Sequence, residues 1–183
     1  MIADLLVPLV AIGLAELGDK TQLSILLLSS KTTRHSHLLL GVILAFLVVD
    51  GVAVLVGSWI TSIVPINLVK MVSGVLFVIF GVLTLRADDT KEDSRLRFNS
   101  PFVSGFAFIF MTEWGDKTQI ASALFAAKYD PLMVLAGTMT ALTLLSTAAV
   151  YLGRIVSTRI NRKALTKIAG IAFVLIGVSF FFL

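Results

Sequence analysis

Glu16-Leu17-Gly18-Asp19-Lys20-Thr21-Gln22 returns, with a single change, as Glu113-Trp114-Gly115-Asp116-Lys117-Thr118-Gln119. Each copy lies near the middle of a long apolar run. An Asp or Lys at the centre of a bilayer-spanning helix costs roughly 2.5–3.5 kcal/mol to insert, and the six charges of the two copies together on the order of 15–20 kcal/mol if left alone. Such charges must pair, bind a ligand or line a wet cavity. The two heptapeptides are therefore the candidate functional centre.

The surrounding chain explains why the runs are read as membrane helices. Of its 183 residues 57% are hydrophobic and 14% charged, against about 45–50% and about 25% in soluble domains. Several runs exceed 18 residues, the length that spans a bilayer. Cysteine is absent, which excludes disulfides, thiolate metal sites and cysteine nucleophiles. The two histidines, His35 and His37, lie in a short loop and argue against an imidazole-based site in the membrane. The net charge of +4 resides in the loops, where it sets topology and does not form a nucleic-acid patch. The first apolar run contains the first motif and lacks a basic leader, so it is expected to be retained and not cleaved as a signal peptide.

The punctuation predicts six helices, at about Asp4–Ser30, Leu38–Ser62, Leu68–Leu85, Ser100–Lys128, Pro131–Ser157 and Ala164–Leu183. Pro8 falls in the first turn of the first helix, where its missing N–H is harmless. Ser36 and Asn67 are expected caps of the second and third helices, and Ser100-Pro101 and Asp130-Pro131 open the fourth and fifth. The second helix carries Gly41, Ala45, Ala53 and Gly57 on one stripe suited to close helix approach. The third is apolar on all sides, which points to lipid.

The motif offset of 97 becomes 96 beyond the first loop. With that shift Gly41, Ala45, Ala53, Val54 and Gly57 match Gly137, Ala141, Ala149, Val150 and Gly153, and Gly74, Phe77 and Gly81 match Gly170, Phe173 and Gly177. The chain reads as two copies of a three-helix unit, about 1–86 and about 100–183, joined by a polar linker at about 87–99, in a single membrane domain spanning residues 1–183. An odd number of helices per copy forces the second to enter from the opposite side, giving an inverted-topology repeat. Loop charge gives the same answer: eleven bases fall on one side, against Lys70 and Lys128 on the other. The linker is thus expected in the cytosol and both termini outside. The expected fold class is an all-α integral membrane protein with six transmembrane helices.

If the motif helices are continuous, Glu16, Asp19 and Gln22 share one face, as do Glu113, Asp116 and Gln119. Lys20 and Lys117 stand four residues after Glu16 and Glu113 and can neutralise them within the same helix. Thr21 and Thr118 add hydroxyl oxygens. Gly18 and Gly115 permit close approach or local unwinding. Inversion brings the two copies face to face, as an oxygen-only donor set that suits hard cations such as Ca²⁺ and Mg²⁺ and is accepted by Mn²⁺. A carboxyl group in a low-dielectric site that loses its cation favours its neutral form. One group then carries either a proton or a metal ion, which is the logic of an antiporter. Purely structural ion pairs would leave Asp19 and Asp116 without a role, and E-x-G-D lacks the preceding glycine of the G-x-G-D protease motif.

These residues resemble the GDT family of cation/proton exchangers, and the likeness covers the whole chain. The resemblance implies Glu16, Asp19, Glu113 and Asp116 as cation-site residues. It further implies Mn²⁺ export, with Ca²⁺/H⁺ exchange as the alternative, by a transporter of the bacterial inner membrane. That function needs no resident cofactor and no enzymatic activity. Its substrates would be the transported Mn²⁺ or Ca²⁺, held at the midplane, and protons. A passive channel or a scaffold is the reading from another class, and it gives no reason for two titrating acid pairs.

Outside the motif, Asp50 breaks the repeat, because its counterpart is Ser146. It is either a further cation or proton ligand or a group bonded to a neighbouring helix. Thr140, Thr143 and Thr147, with Ser146 beside them, either line a path or bond their own helix. Trp114 is expected to pack. Asp4 and Asp130 are expected interfacial caps, and Asp88, Asp89, Glu92 and Asp93 belong to a solvated linker.

Overall fold

The computed structural model describes residues 2–86, 100–159 and 162–182, with the side chains of residues 20, 66, 84, 152–159, 162–166 and 169 outside the description. The linker acids Asp88, Asp89, Glu92 and Asp93 therefore lie outside the described residues, as do any pairing by the Lys20 side chain and the surroundings of Gly153.

Eight helices and no strands occur among the described residues: α1 Ile2–Glu16, α2 Lys20–Ser29, α3 His35–Ile63, α4 Ile66–Arg86, α5 Pro101–Thr112, α6 Lys117–Ala126, α7 Pro131–Arg159 and α8 Arg162–Phe182. The count exceeds six because both motif helices are broken. The expected continuous helices Asp4–Ser30 and Ser100–Lys128 are each two half-helices, and the break falls on the motif both times. Gly18 and Gly115 adopt φ of +83° and +85°, a conformation that costs an L-residue roughly 1–2 kcal/mol and glycine almost nothing. They are the only positive-φ residues described.

Two caps also differ from expectation. The cap of α3 is Arg34 and not Ser36, because the helix already begins at His35. Asn67 lies inside the first turn of α4, where the Leu68 N–H donates to the Pro65 carbonyl at 2.9 Å. Ser100 does precede α5 with an extended backbone and Pro101 at the first helical position. The Asp130 carboxylate accepts the Met133 N–H at 2.9 Å, capping α7.

Packing pairs each half of the chain with the other. α3 lies along α5 and α6, α7 lies along α1 and α2, α4 lies along α8, and α3 crosses α7. The glycines set these approaches. Gly41 sits directly on the Phe102 carbonyl, and its repeat partner Gly137 sits directly on the Leu5 carbonyl. In the α4–α8 pair, a Cβ at Gly74 would lie 2.9 Å from the Gly177 carbonyl, and one at Gly177 would lie 2.8 Å from the Gly74 carbonyl. Gly81 and Gly170 approach each other in the same reciprocal way. The α3–α5 and α7–α1 approaches thus correspond with the halves exchanged, and the α4–α8 approach is reciprocal. Phe77, fully buried, joins α4 to the rest through Phe125, Phe173 and Phe180, with ring centroids 4.8, 5.8 and 5.5 Å away.

The outer face is apolar. Met71, Val75, Ile79 and Leu83 of α4 and Ile171, Leu175 and Phe182 of α8 are all exposed, far more apolar surface than a soluble monomer presents. His35–Ile63 and Pro131–Tyr151 are long and apolar enough to cross a bilayer.

Candidate metal centre at the two helix breaks

Each motif makes the same four-residue turn. The Asp19 N–H donates to the Glu16 carbonyl at 3.1 Å, and the Asp116 N–H to the Glu113 carbonyl at 3.2 Å. The glycine occupies the third position of each turn, where positive φ is required. Its own N–H would be left without a partner, and the glutamine four residues on supplies one. Gln22 Oε1 accepts from Gly18 N at 3.0 Å and Gln119 Oε1 from Gly115 N at 2.6 Å. The glutamines therefore satisfy the break with their amide oxygens. A new helix then starts at each Asp, and Asp116, with ψ of 165°, is the N-cap residue of α6.

This geometry replaces the single-face oxygen stripe expected of a continuous helix. Glu16 and Glu113 sit at the C-terminal ends of α1 and α5, and Asp19 and Asp116 at the N-terminal starts of α2 and α6. Two half-helix ends, with opposite dipoles, meet in each motif. The two motifs then interlock. Thr21 Oγ1 donates to Glu113 Oε1 at 2.6 Å, and Thr118 Oγ1 donates to Glu16 Oε1 at 2.5 Å. Glu16 and Glu113 are buried at 2% and 4% exposure, so each carboxylate, taken from water, receives a hydroxyl from the opposite motif. Carboxylate oxygens of Glu16, Glu113 and Asp116 lie within 4.8 Å of one another, close enough to share one divalent ion.

The expected pairing of Lys117 with Glu113 four residues earlier is also replaced. Lys117 Nζ bonds Asp19 of the other motif and lies 3.8 Å from Glu16. The break removes the i, i+4 register that the in-helix pair requires, and the crossed pairing keeps a positive charge among the acids. Asp19 and Lys117 are less enclosed, with side chains 27% and 24% exposed, and Gly115 and Trp114 are exposed. The centre thus opens on that side while Glu16 and Glu113 close the other.

Asp50 stands apart from the three-carboxylate cluster. It is buried at 2% exposure and accepts from Ser122 Oγ of α6 at 2.8 Å. This bond to a neighbouring helix is one of the two roles the sequence left open for it. Thr140 and Thr147 donate to the carbonyls of Ala136 and Thr143, four residues back in their own helix, both at 2.7 Å. Trp114 packs on Phe110 at 5.2 Å between centroids and remains 52% exposed. In the turn between α6 and α7, burial and the neighbouring Lys70 make the Lys128 ammonium easier to deprotonate than usual, and its Nζ lies 4.1 Å from the centroid of the Phe180 ring.

Sequence reasoning missed the crossed pairing of Thr21, Thr118 and Lys117 and the role of Ser122. The signal for the first was present, since a Thr follows each Asp-Lys pair. Nothing local marked Ser122, whose repeat counterpart is Ile25.

Comparison with known proteins identifies the family. The chain is 28% identical to the "Putative manganese exporter" of Vibrio cholerae serotype O1 over 96% of its own length and 88% of that protein. It is 31% identical to the GDT1-like protein sll0615 of Synechocystis over 93% and 92%, and 28% identical to the GDT1-like protein 5 of rice over 90% and 88%. No solved structure matches it. The family described as "Divalent cation/proton antiporter GDT1" matches residues 4–92 and 101–182, and with both breaks and all of the clustered carboxylates inside those limits, the chain belongs to the GDT1 family of divalent cation/proton antiporters.

Proposed function

We propose that this protein exports a divalent cation, Mn²⁺ foremost, in exchange for protons, by alternating access to one site at the membrane midplane. The observation that carries this reading is the approach of Glu16, Glu113 and Asp116 to within 4.8 Å of one another, in a setting with no sulfur or imidazole ligand. Oxygen-only donors of this kind suit Mn²⁺ and Ca²⁺. The manganese-exporter name of the Vibrio cholerae relative favours Mn²⁺, and Ca²⁺/H⁺ exchange is the second reading.

The membrane arrangement we propose counts α1 with α2, and α5 with α6, as single broken spans. Six spans then form two three-helix repeats of opposite topology. The matching contacts of Gly41 on Phe102 and Gly137 on Leu5, and of Gly74 with Gly177 and Gly170 with Gly81, support such a relation. Loop charge puts both termini outside and the 87–99 linker in the cytosol.

In the exchange cycle, the cation would be held by Glu16, Glu113 and Asp116. Thr21 and Thr118 orient the glutamate oxygens by donating to them. Lys117 supplies the compensating charge beside Glu16 and Asp19 when no cargo is bound, and protons that enter from outside neutralise the remaining carboxylates. A bound divalent ion must displace both, so cation and proton exclude each other at one centre. The inward proton gradient then drives the cation out of the cytosol.

In everted vesicles containing the purified protein, addition of Mn²⁺ or Ca²⁺ is expected to release protons from the acidified lumen. Absence of a metal-dependent pH change with either ion overturns the proposal. Competition among Mn²⁺, Ca²⁺ and Mg²⁺ in the same vesicles ranks the substrates, with Mn²⁺ expected first.

A further inference from the structure

The two halves of the centre are not docked equally. α6 is tied to α3 by polar groups along its length. Asp50 of α3 accepts from Ser122 Oγ at 2.8 Å, with both residues buried at 2% or less exposure. Gln119 Nε2 donates to the Val49 carbonyl at 3.2 Å, and Gly57 lets the Ala123 carbonyl rest directly on α3. The repeat predicts the same ties between α2 and α7, and they are different. Ser146 stands where Asp50 does, and Ile25 stands where Ser122 does. Gln22 Nε2, which would match the amide that reaches Val49, is buried without a hydrogen-bond partner. α2 is fastened at its far end, where Ser29 Oγ donates to the Val150 carbonyl at 2.8 Å.

We infer that Asp50 is a positioning residue that clamps α6 to α3, so that the exchange cycle moves α2 against α7 while the half-helix of the second motif stays fixed. Pulling Ser122 from Asp50 leaves a buried carboxylate without its donor, which is costly in an apolar surround. Moving α2 breaks no equivalent tie to α7 near the centre, only the Thr21 hydroxyl bond to Glu113 and the Asp19–Lys117 pair, and it offers the unpaired Gln22 amide an acceptor. By the repeat correspondence, that acceptor is the Leu145 carbonyl, the counterpart of Val49. One interface resists motion and the other gains from it. Asp50 acts through the placement of α6, hence of Asp116 and Lys117, without itself holding the cation.

This inference rests on the exchange reading, and its test separates the two. Asn at position 50 keeps an oxygen that accepts from Ser122, whereas Ala does not. In the vesicle assay Asp50→Asn is expected to retain near wild-type exchange. Asp50→Ala and Ser122→Ala should each lower the maximal rate on the order of tenfold with little change in the half-saturating cation concentration. If Asp50→Asn is as defective as Asp50→Ala, Asp50 serves as a cation or proton ligand and the clamp is overturned. Because the chain has no cysteine, spin-label pairs can be introduced at Val56 with Leu124 and at Leu27 with Leu144. Between low pH and saturating diamagnetic Ca²⁺, the second distance is expected to shift and the first to stay constant. A first distance that shifts as much as the second overturns the clamp. Failure of wild-type vesicles to exchange any cation would instead defeat the functional reading, since the pH-dependent distances are measured without transport.

Discussion

Gly18 and Gly115 are the residues on which the centre turns, and their cost to replace differs from that of ordinary helix glycines. At φ of +85°, with no atom within 4 Å of where a Cβ would sit, Gly115 is needed for its backbone alone. Gly115→Ala is expected to lose about 1–2 kcal/mol, seen as a lower thermal midpoint in detergent and slower exchange. The acids behave differently. Glu16→Gln retains an oxygen for Thr118 but removes a charge from the cation cluster, so exchange should vanish while folding and membrane insertion persist. Normal transport by Glu16→Gln, or by Glu113→Gln, would show that the cation is held elsewhere. Lys117→Gln removes the internal counter-charge of Glu16 and Asp19. Cation affinity should rise and turnover fall, which a Michaelis analysis of proton release separates.

At the scale of elements, close approach of backbone to backbone decides what the helices tolerate. Gly41→Ala and Gly137→Ala each drive a methyl group into a carbonyl of the facing half-helix, and neither backbone can yield without shifting α5 or α1. Both variants should be strongly destabilised. Gly51, on the same helix as Gly41, has open space where a Cβ would go, so Gly51→Ala should be neutral or stabilising by about 0.5–1 kcal/mol. Comparing melting profiles of the three checks the assignment of the α3 face. These approaches were legible in the sequence, because the small-residue stripe and its repeat at offset 96 depend only on spacing. The breaks were half legible. A glycine beside an Asp permits unwinding, but whether a helix unwinds depends on a partner for the released N–H, and Gln22 and Gln119 supply it only in three dimensions. The same holds for the carboxylate cluster. The repeat identified Glu16, Glu113 and Asp116, while the crossed hydroxyl bonds, the reach of Lys117 across to Asp19 and the capture of Asp50 by Ser122 follow from how the halves meet.

For the whole molecule, the exchanged contacts make orientation in the membrane a testable property. A single cysteine at Thr33 is expected to react with an impermeant maleimide in everted vesicles only, and one at Asp130 in right-side-out vesicles only. Labelling of both from the same side would refute opposite orientation of the two repeats. The apolar faces of α4 and α8 fit the same picture, since Leu175 and Phe182, 65% and 84% exposed, would be a liability in water and are ordinary against lipid.

The ladder of rings along α5, from Phe102 through Phe106 and Phe110 to Trp114, gives the protein an optical reporter of its own. Trp114 is the residue between Glu113 and Gly115, and the only other indole, Trp59, sits near the far end of α3. In a Trp59→Phe background all tryptophan emission comes from the residue next in sequence to a clustered carboxylate. A paramagnetic divalent ion captured there should quench that emission by proximity, whereas a diamagnetic one should at most shift its colour. Cargo occupancy would then be visible as light, independently of any flux.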